Sequence, residues 1–242
     1  MVKIGVNIEM ENSKFSTTVG KGVKILLEVA LIIACFFIAE APVLAEIPNF
    51  KWDTLAHANL LKHTLILLGT TVFSFAVLYF VYKRINDGFR LANDKAGVKR
   101  GLLITLLTLA PVYVIVDIIS YYGHVTDADL QFEYGSNLFL IFIICAAIVS
   151  PIMEELLFQG IIQGGLFKKL NPAVAIIITA GLFSLAHGNI DNPLKCLGIF
   201  IQGLGYAYIY YKTKDIRFAI LGHGLNNLLA IMETLMLIKL GL

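Results

Sequence analysis

Few residues in this chain can do acid–base chemistry. The most conspicuous are two adjacent carboxylates, Glu154 and Glu155, inside the apolar stretch SPIMEELLFQG at 150–160. A membrane or a protein core penalises such charges heavily unless they are partnered or protonated. Two imidazoles sit in similar surroundings, His187 in GLFSLAHGN and His223 in LGHGLNN.

Spacing indicates which of these groups can cooperate. Neighbouring helical residues point about 100° apart, so Glu154 and Glu155 address different directions. Glu155 and Gln159 are four apart and share a helix face, as do His223 and Asn227. Glu154 lies 16 residues before the turn near Leu170 and His187 lies 17 after it. At 1.5 Å per residue both are roughly 24 Å from that turn, and so level in an antiparallel hairpin. His223 is only six residues past Arg217, or roughly 9 Å. It joins the other two only if the turn projects from the bilayer or a helix is broken. Pro151 permits a kink just before the carboxylates.

Such a set supports two kinds of hydrolysis. Two His and a carboxylate can bind zinc, which activates water. Without metal, a Glu can take a proton from water while a His polarises it. A second His and an Asn can then stabilise the oxyanion of the tetrahedral intermediate. Spacing does not choose between the two. The HExxH pattern is absent, and no Ser or Cys stands in a nucleophile motif.

The elements that must position these groups follow from composition. Of 242 residues, 58% are hydrophobic and only 15% charged, with mean hydropathy +0.80. A soluble domain carries about 25% charged residues, so this chain lacks the polar surface to face water all round. A net charge of +2 gives no basic excess and no reason to expect nucleic acid. Cys35, Cys145 and Cys196 lie singly in apolar runs and read as small buried hydrophobes.

Seven runs are candidate bilayer spans: 25–45, 64–82, 101–121, 137–166, 173–188, 194–211 and 217–239. The connecting segments alternate in charge. Basic ones hold Lys3, Lys14, Lys21 and Lys24, then Lys83, Arg84, Arg90, Lys95, Lys99 and Arg100, then Lys168 and Lys169, then Lys212, Lys214 and Arg217. The segments between them are poorer in Lys and Arg; one carries Asp127, Asp129 and Glu133 alone. The positive-inside rule puts the N-terminus and the basic loops in the cytoplasm of a multi-pass cell-membrane protein. The expected fold is an all-α bundle of seven transmembrane helices, or eight if the last run breaks near Asn226 and Asn227. It divides into a cytoplasmic arm (1–24), N-terminal spans (25–130) and a catalytic core (131–242). A cleaved signal peptide ending at VLA is disfavoured by Glu28 and Glu40.

The other ionisable residues in the spans, Glu28, Glu40, Asp117 and Glu233, are singletons near span ends and read as snorkelling or locally bonded side chains. His57, His63 and His124 read as surface. A proton-relaying transporter would also use Glu and His in spans, but no inverted repeat is visible. Polar contacts that merely glue helices are the plainest alternative.

EELLFQG (154–160), FSLAHG (183–188) and HGLNN (223–227) resemble the three motifs of the CPBP family of intramembrane proteases, also called the Abi family. It contains the CAAX prenyl endopeptidases and bacteriocin-processing or bacteriocin-immunity proteins. The motifs are two Glu followed four residues later by Arg, Phe with His four residues on, and His with Asn or Asp four residues on. The resemblance covers about residues 137–230. It implies that Glu154 is the base, assisted by His187 in the Phe183 motif, and that His223 and Asn227 form the oxyanion hole. Glu155 would orient the site and pair with the motif's Arg. It implies a membrane-associated peptide or protein substrate met in the lipid bilayer, and either no cofactor or a divalent metal such as Zn. The departure is Gln159 at the Arg position: Gln can hydrogen-bond Glu155 but cannot neutralise it. That favours, as the alternative, an inactive relative acting as a membrane regulator or bacteriocin-immunity protein.

Overall fold

The computed structural model describes residues 2–46, 60–86, 94–123 and 139–240, without the side chains of 2–21 and 45–46. His57, His124 and the acidic loop with Asp127, Asp129 and Glu133 lie outside the described residues. The helices are α1 (Val2–Glu46), α2 (Leu60–Ile85), α3 (Lys95–Gly123), α4 (Phe139–Leu166), α5 (Pro172–Ala186), α6 (Pro193–Thr213) and α7 (Ile216–Leu240). No strand occurs among the described residues. The protein is an all-α polytopic membrane protein.

Two compact units can be distinguished, Met1–Phe37 and Ile38–Leu242. In the first, helix runs without a break through residue 24, where the sequence suggests the end of an arm, and Lys24 pairs with Glu28 at 3.6 Å. In the second, α6 packs on α3, α5 and α7, while α4 packs on α2, α5 and α7.

Among the described residues, five helices are long and apolar enough to cross a bilayer: Gly22–Leu44 of α1, together with α2, α3, α4 and α7. The expected fifth span, 173–188, corresponds to α5, which is short for a bilayer. α5 has 15 residues, roughly 22 Å of rise, against about 30 Å of hydrocarbon. α7 is one continuous helix of 25 residues, with no break at Asn226 or Asn227. Leu61, Leu65, Leu68, Val72 and Phe73 lie exposed along α2, and Leu103, Leu106 and Leu107 along α3. Lipid, not water, suits such faces.

Local chemistry explains the short helices that carry the site. α5 and α6 both start at Asn-Pro. The Asn171 side chain accepts from Ala173 N–H at 2.9 Å, and Asn192 accepts from Lys195 N–H at 3.0 Å. Each proline fills the first helical position, where its missing N–H costs nothing. α6 ends at Lys214, in the left-handed region at φ 55°. Asp215, 1% exposed, then accepts from Arg217 N–H at 3.1 Å and holds the Arg217 guanidinium at 2.6 Å, starting α7.

α4 is the irregular element. Two π-helical stretches, Cys145–Val149 and Leu156–Leu166, flank the α-helical turn Ser150–Glu155. π turns are wider than α turns and concentrate at functional sites. They also advance less per residue, which brings Glu154 and Glu155 nearer the following turn than an α-helical count allows.

Candidate active site

Both carboxylates of the α-helical turn of α4 are buried, Glu154 at 8% exposure and Glu155 at 0%. They point to different partners, as adjacent helical positions must. Ser150, one turn earlier, donates its hydroxyl to Glu154 Oε1. Glu154 Oε2 is buried without a hydrogen-bond partner and lies 3.8 Å from His187 Nε2.

His187 stands at the C-terminus of α5, where the helix unwinds into Gly188 at φ 68°. Its Nδ1 is 2.8 Å from the carbonyl oxygen of Phe183. A carbonyl only accepts, so Nδ1 carries a proton, and Nε2 is the ring nitrogen turned toward Glu154. About a third of its side chain is exposed, which leaves the pair accessible from one side. The Phe183 ring packs against the imidazole, 4.6 Å between centroids.

Glu155 meets α7. His223, 3% exposed, sets Nδ1 2.9 Å from Glu155 Oε1. The bond spans 68 residues of sequence. Gln159 acts on the Glu155 carboxyl from one turn away, but neither of its amide atoms reaches hydrogen-bond geometry. Asn227 is bound to α4: its Nδ2 donates to the Ala146 carbonyl at 2.8 Å. Ala146 lies in the first π stretch, where the altered register frees carbonyls from the α ladder. Gly224 makes this approach possible, since a Cβ there would stand 2.6 Å from the Ala147 carbonyl oxygen.

Glu154 and His187 thus form one pair, Glu155 and His223 another, and Asn227 anchors α7 to α4. Among the described residues, no three His, Cys, Asp or Glu side chains group to hold a metal ion. A catalytic zinc takes three protein ligands, so this donor set does not fit one.

Two residues at the site, Ser150 and Tyr206, stand outside the sequence motifs, and a third, Glu40, reads there only as a singleton near a span end. Ser150 has the i,i+4 spacing to Glu154 that could have exposed it. Tyr206 lies in α6, outside every motif, and stacks on His223 at 4.5 Å and 14°; nothing in an apolar run marks it. Glu40 lies within electrostatic reach of Glu154 and His187. Of the other singletons, Glu233 accepts from the Tyr113 hydroxyl at 2.8 Å.

Residues 136–229 match the family model described as Type II CAAX prenyl endopeptidase Rce1-like. The chain is also similar to YdiL of Bacillus subtilis (strain 168), named as a candidate membrane peptidase: 34% identity over 85 residues, 35% of this chain and 34% of that protein. It is 32% identical over 90 residues to the membrane-embedded CAAX protease MroQ of Staphylococcus aureus (strain USA300), 36% of each chain. The matched segment spans about a third of the length of either relative. No solved structure matches significantly.

Proposed function

We propose that this chain, whose residues 136–229 match the Type II CAAX prenyl endopeptidase Rce1-like family model and two membrane peptidases, is an intramembrane endopeptidase in which Glu154 and His187 activate water. The observation that carries the proposal is the gap between Glu154 Oε2 and His187 Nε2, 3.8 Å across, with the buried Glu154 Oε2 lacking a hydrogen-bond partner. One water bridges such a gap with contacts of about 2.8 Å. A water that donates to Glu154 Oε2 keeps a lone pair free to attack.

The steps follow. Water oxygen bonds to the scissile carbonyl carbon while Glu154 takes a proton, and the carbonyl π pair moves onto oxygen. The C–N bond then breaks and Glu154 returns the proton to the leaving amine. The oxyanion is met by His223 Nε2 and by the second amide hydrogen of Asn227. His223 can donate from Nε2 only when the Glu155–His223 pair holds one proton beyond carboxylate and neutral imidazole. Glu155 therefore acts in this scheme as the proton partner of His223. No step passes through a metal.

The substrate is a membrane-associated peptide or protein entering from the bilayer. The alternation of basic and basic-poor loops supports a cell-membrane location with a cytoplasmic N-terminus. A non-catalytic relative that regulates a membrane partner is the second reading, favoured by Gln159, a buried uncharged amide where the family motif has Arg. Purified protein in proteoliposomes, offered a library of internally quenched peptides bearing a membrane anchor, decides between them. Cleavage should fall by about 10²–10⁴-fold in Glu154→Gln. Equal cleavage by this variant refutes the assigned base, and no cleavage by the wild type favours the regulator.

A further inference from the structure

We propose that Tyr206 is a positioning residue for His223, fixing the plane of the imidazole so that Nε2 points at the reacting carbonyl; this deepens the hydrolytic reading and rests on it. A single hydrogen bond does not fix a ring. The contact from Nδ1 to Glu155 Oε1 at 2.9 Å holds one atom of the imidazole, and the ring can still swing about that point. Tyr206 removes this freedom. Its ring is 0% exposed and lies face to face with the imidazole, 4.5 Å between centroids and 14° between planes. Phe183 closes the cage edge-on, 5.6 Å and 72° from His223 and 5.8 Å and 81° from Tyr206. Phe158 backs Phe183 at 5.1 Å and 76°.

The backbone is shaped to allow this. One turn before Tyr206, a Cβ at Gly203 would stand 3.1 Å from the Phe183 ring and 3.2 Å from Ala180 Cα. A glycine there lets α6 lie close enough to α5 for one cage to span both helices and α7. The phenol oxygen is buried beside the Asn226 side chain. The part of Tyr206 that meets the imidazole is the flat ring.

The test compares Tyr206→Phe with Tyr206→Leu in proteoliposomes, using a peptide that the wild type cleaves. Phe keeps the stack, so kcat and KM stay within about a factor of three of wild type. Leu leaves the imidazole free to tilt, so kcat falls about 100-fold while KM holds within the same factor. Tyr206→Met provides the same comparison if Leu does not accumulate in the membrane. Wild-type kcat in the Leu or Met variant overturns the proposal. So does a loss in the Phe variant as large as in Leu, which would assign the role to the hydroxyl. A second readout needs no catalysis. In histidine-labelled protein, the ring current of Tyr206 shifts the His223 imidazole protons upfield, and Phe retains the shift while Leu removes it. Absence of that shift in the wild type overturns the stack. If no peptide is cut but the shift is present, the hydrolytic reading fails while the aromatic cage stands.

Discussion

Gly224→Ala perturbs the site without touching any chemical group in it. A Cβ at this position would stand 2.6 Å from the Ala147 carbonyl oxygen, and ordinary contact begins at 3.4 Å. The obstacle is backbone, so α7 must withdraw from the first π stretch by about 0.8 Å. His223 and Asn227 ride on the same helix. Their bonds to Glu155 Oε1 (2.9 Å) and Ala146 O (2.8 Å) would both open to about 3.6 Å, past the hydrogen-bond range. Overpacking together with two weakened buried bonds destabilises the fold by about 2–4 kcal/mol. For a chain of this size that lowers Tm by roughly 5–15 °C. Displacement of the oxyanion donors should cost about 100-fold in kcat. Unfolding can be followed with a thiol-reactive dye, since none of Cys35, Cys145 and Cys196 is in a disulfide. Gly181→Ala is the control: its Cβ meets nothing within 4 Å, and the same change in an open helix site stabilises by about 0.5–1 kcal/mol. If Gly224→Ala matches Gly181→Ala in Tm and in kcat, the close approach of α7 to α4 is not what holds the site.

Further expectations can be checked with the same preparations. Ser150→Ala removes the donor to Glu154 Oε1 and should lower kcat about tenfold with KM unchanged, the equivalent of one hydrogen bond to a charged group; an unchanged kcat means the hydroxyl does not orient the base. His187→Ala should cost about 10²–10³-fold in kcat and leave Tm nearly unchanged, because the ring is part exposed; a large drop in Tm with kcat intact would assign it to the fold. Asp215→Ala removes the cap of α7 and should destabilise by about 1–2 kcal/mol, read as a lower Tm with cleavage retained at low temperature. Treatment with a strong zinc chelator should leave the cleavage rate unchanged, and a loss restored by added zinc contradicts the metal-free scheme.

Several parts of this architecture are legible in residues alone. A chain with 15% charged residues cannot cover a water-facing surface, and its apolar runs at 173–188 and 194–211 mark where α5 and α6 lie. Counting from the turn near Leu170 put Glu154 and His187 at one depth, and they stand 3.8 Å apart. The same count brings His223 level only if the turn projects or a helix is broken. The 11-residue π stretch Leu156–Leu166 removes part of that mismatch, and no local propensity announces an i→i+5 ladder; it exists where tertiary packing outweighs the better α geometry. The partner of Glu155 was sought in the motif's Arg position and found in His223, 68 residues away. Tyr206 was invisible for a different reason: in a run as apolar as α6, a buried tyrosine looks like any other core aromatic, and only its stacking on an imidazole singles it out.

The central claim is that water held between Glu154 and His187 attacks the peptide bond directly. Single-turnover cleavage in 18O-labelled water, with enzyme in excess and products weighed by mass spectrometry, tests it most directly. The account predicts one 18O atom in the new C-terminal carboxylate of the product and none in Glu154 of the enzyme. An unlabelled product with 18O appearing in Glu154 would mean that the carboxylate itself attacks, and would contradict it.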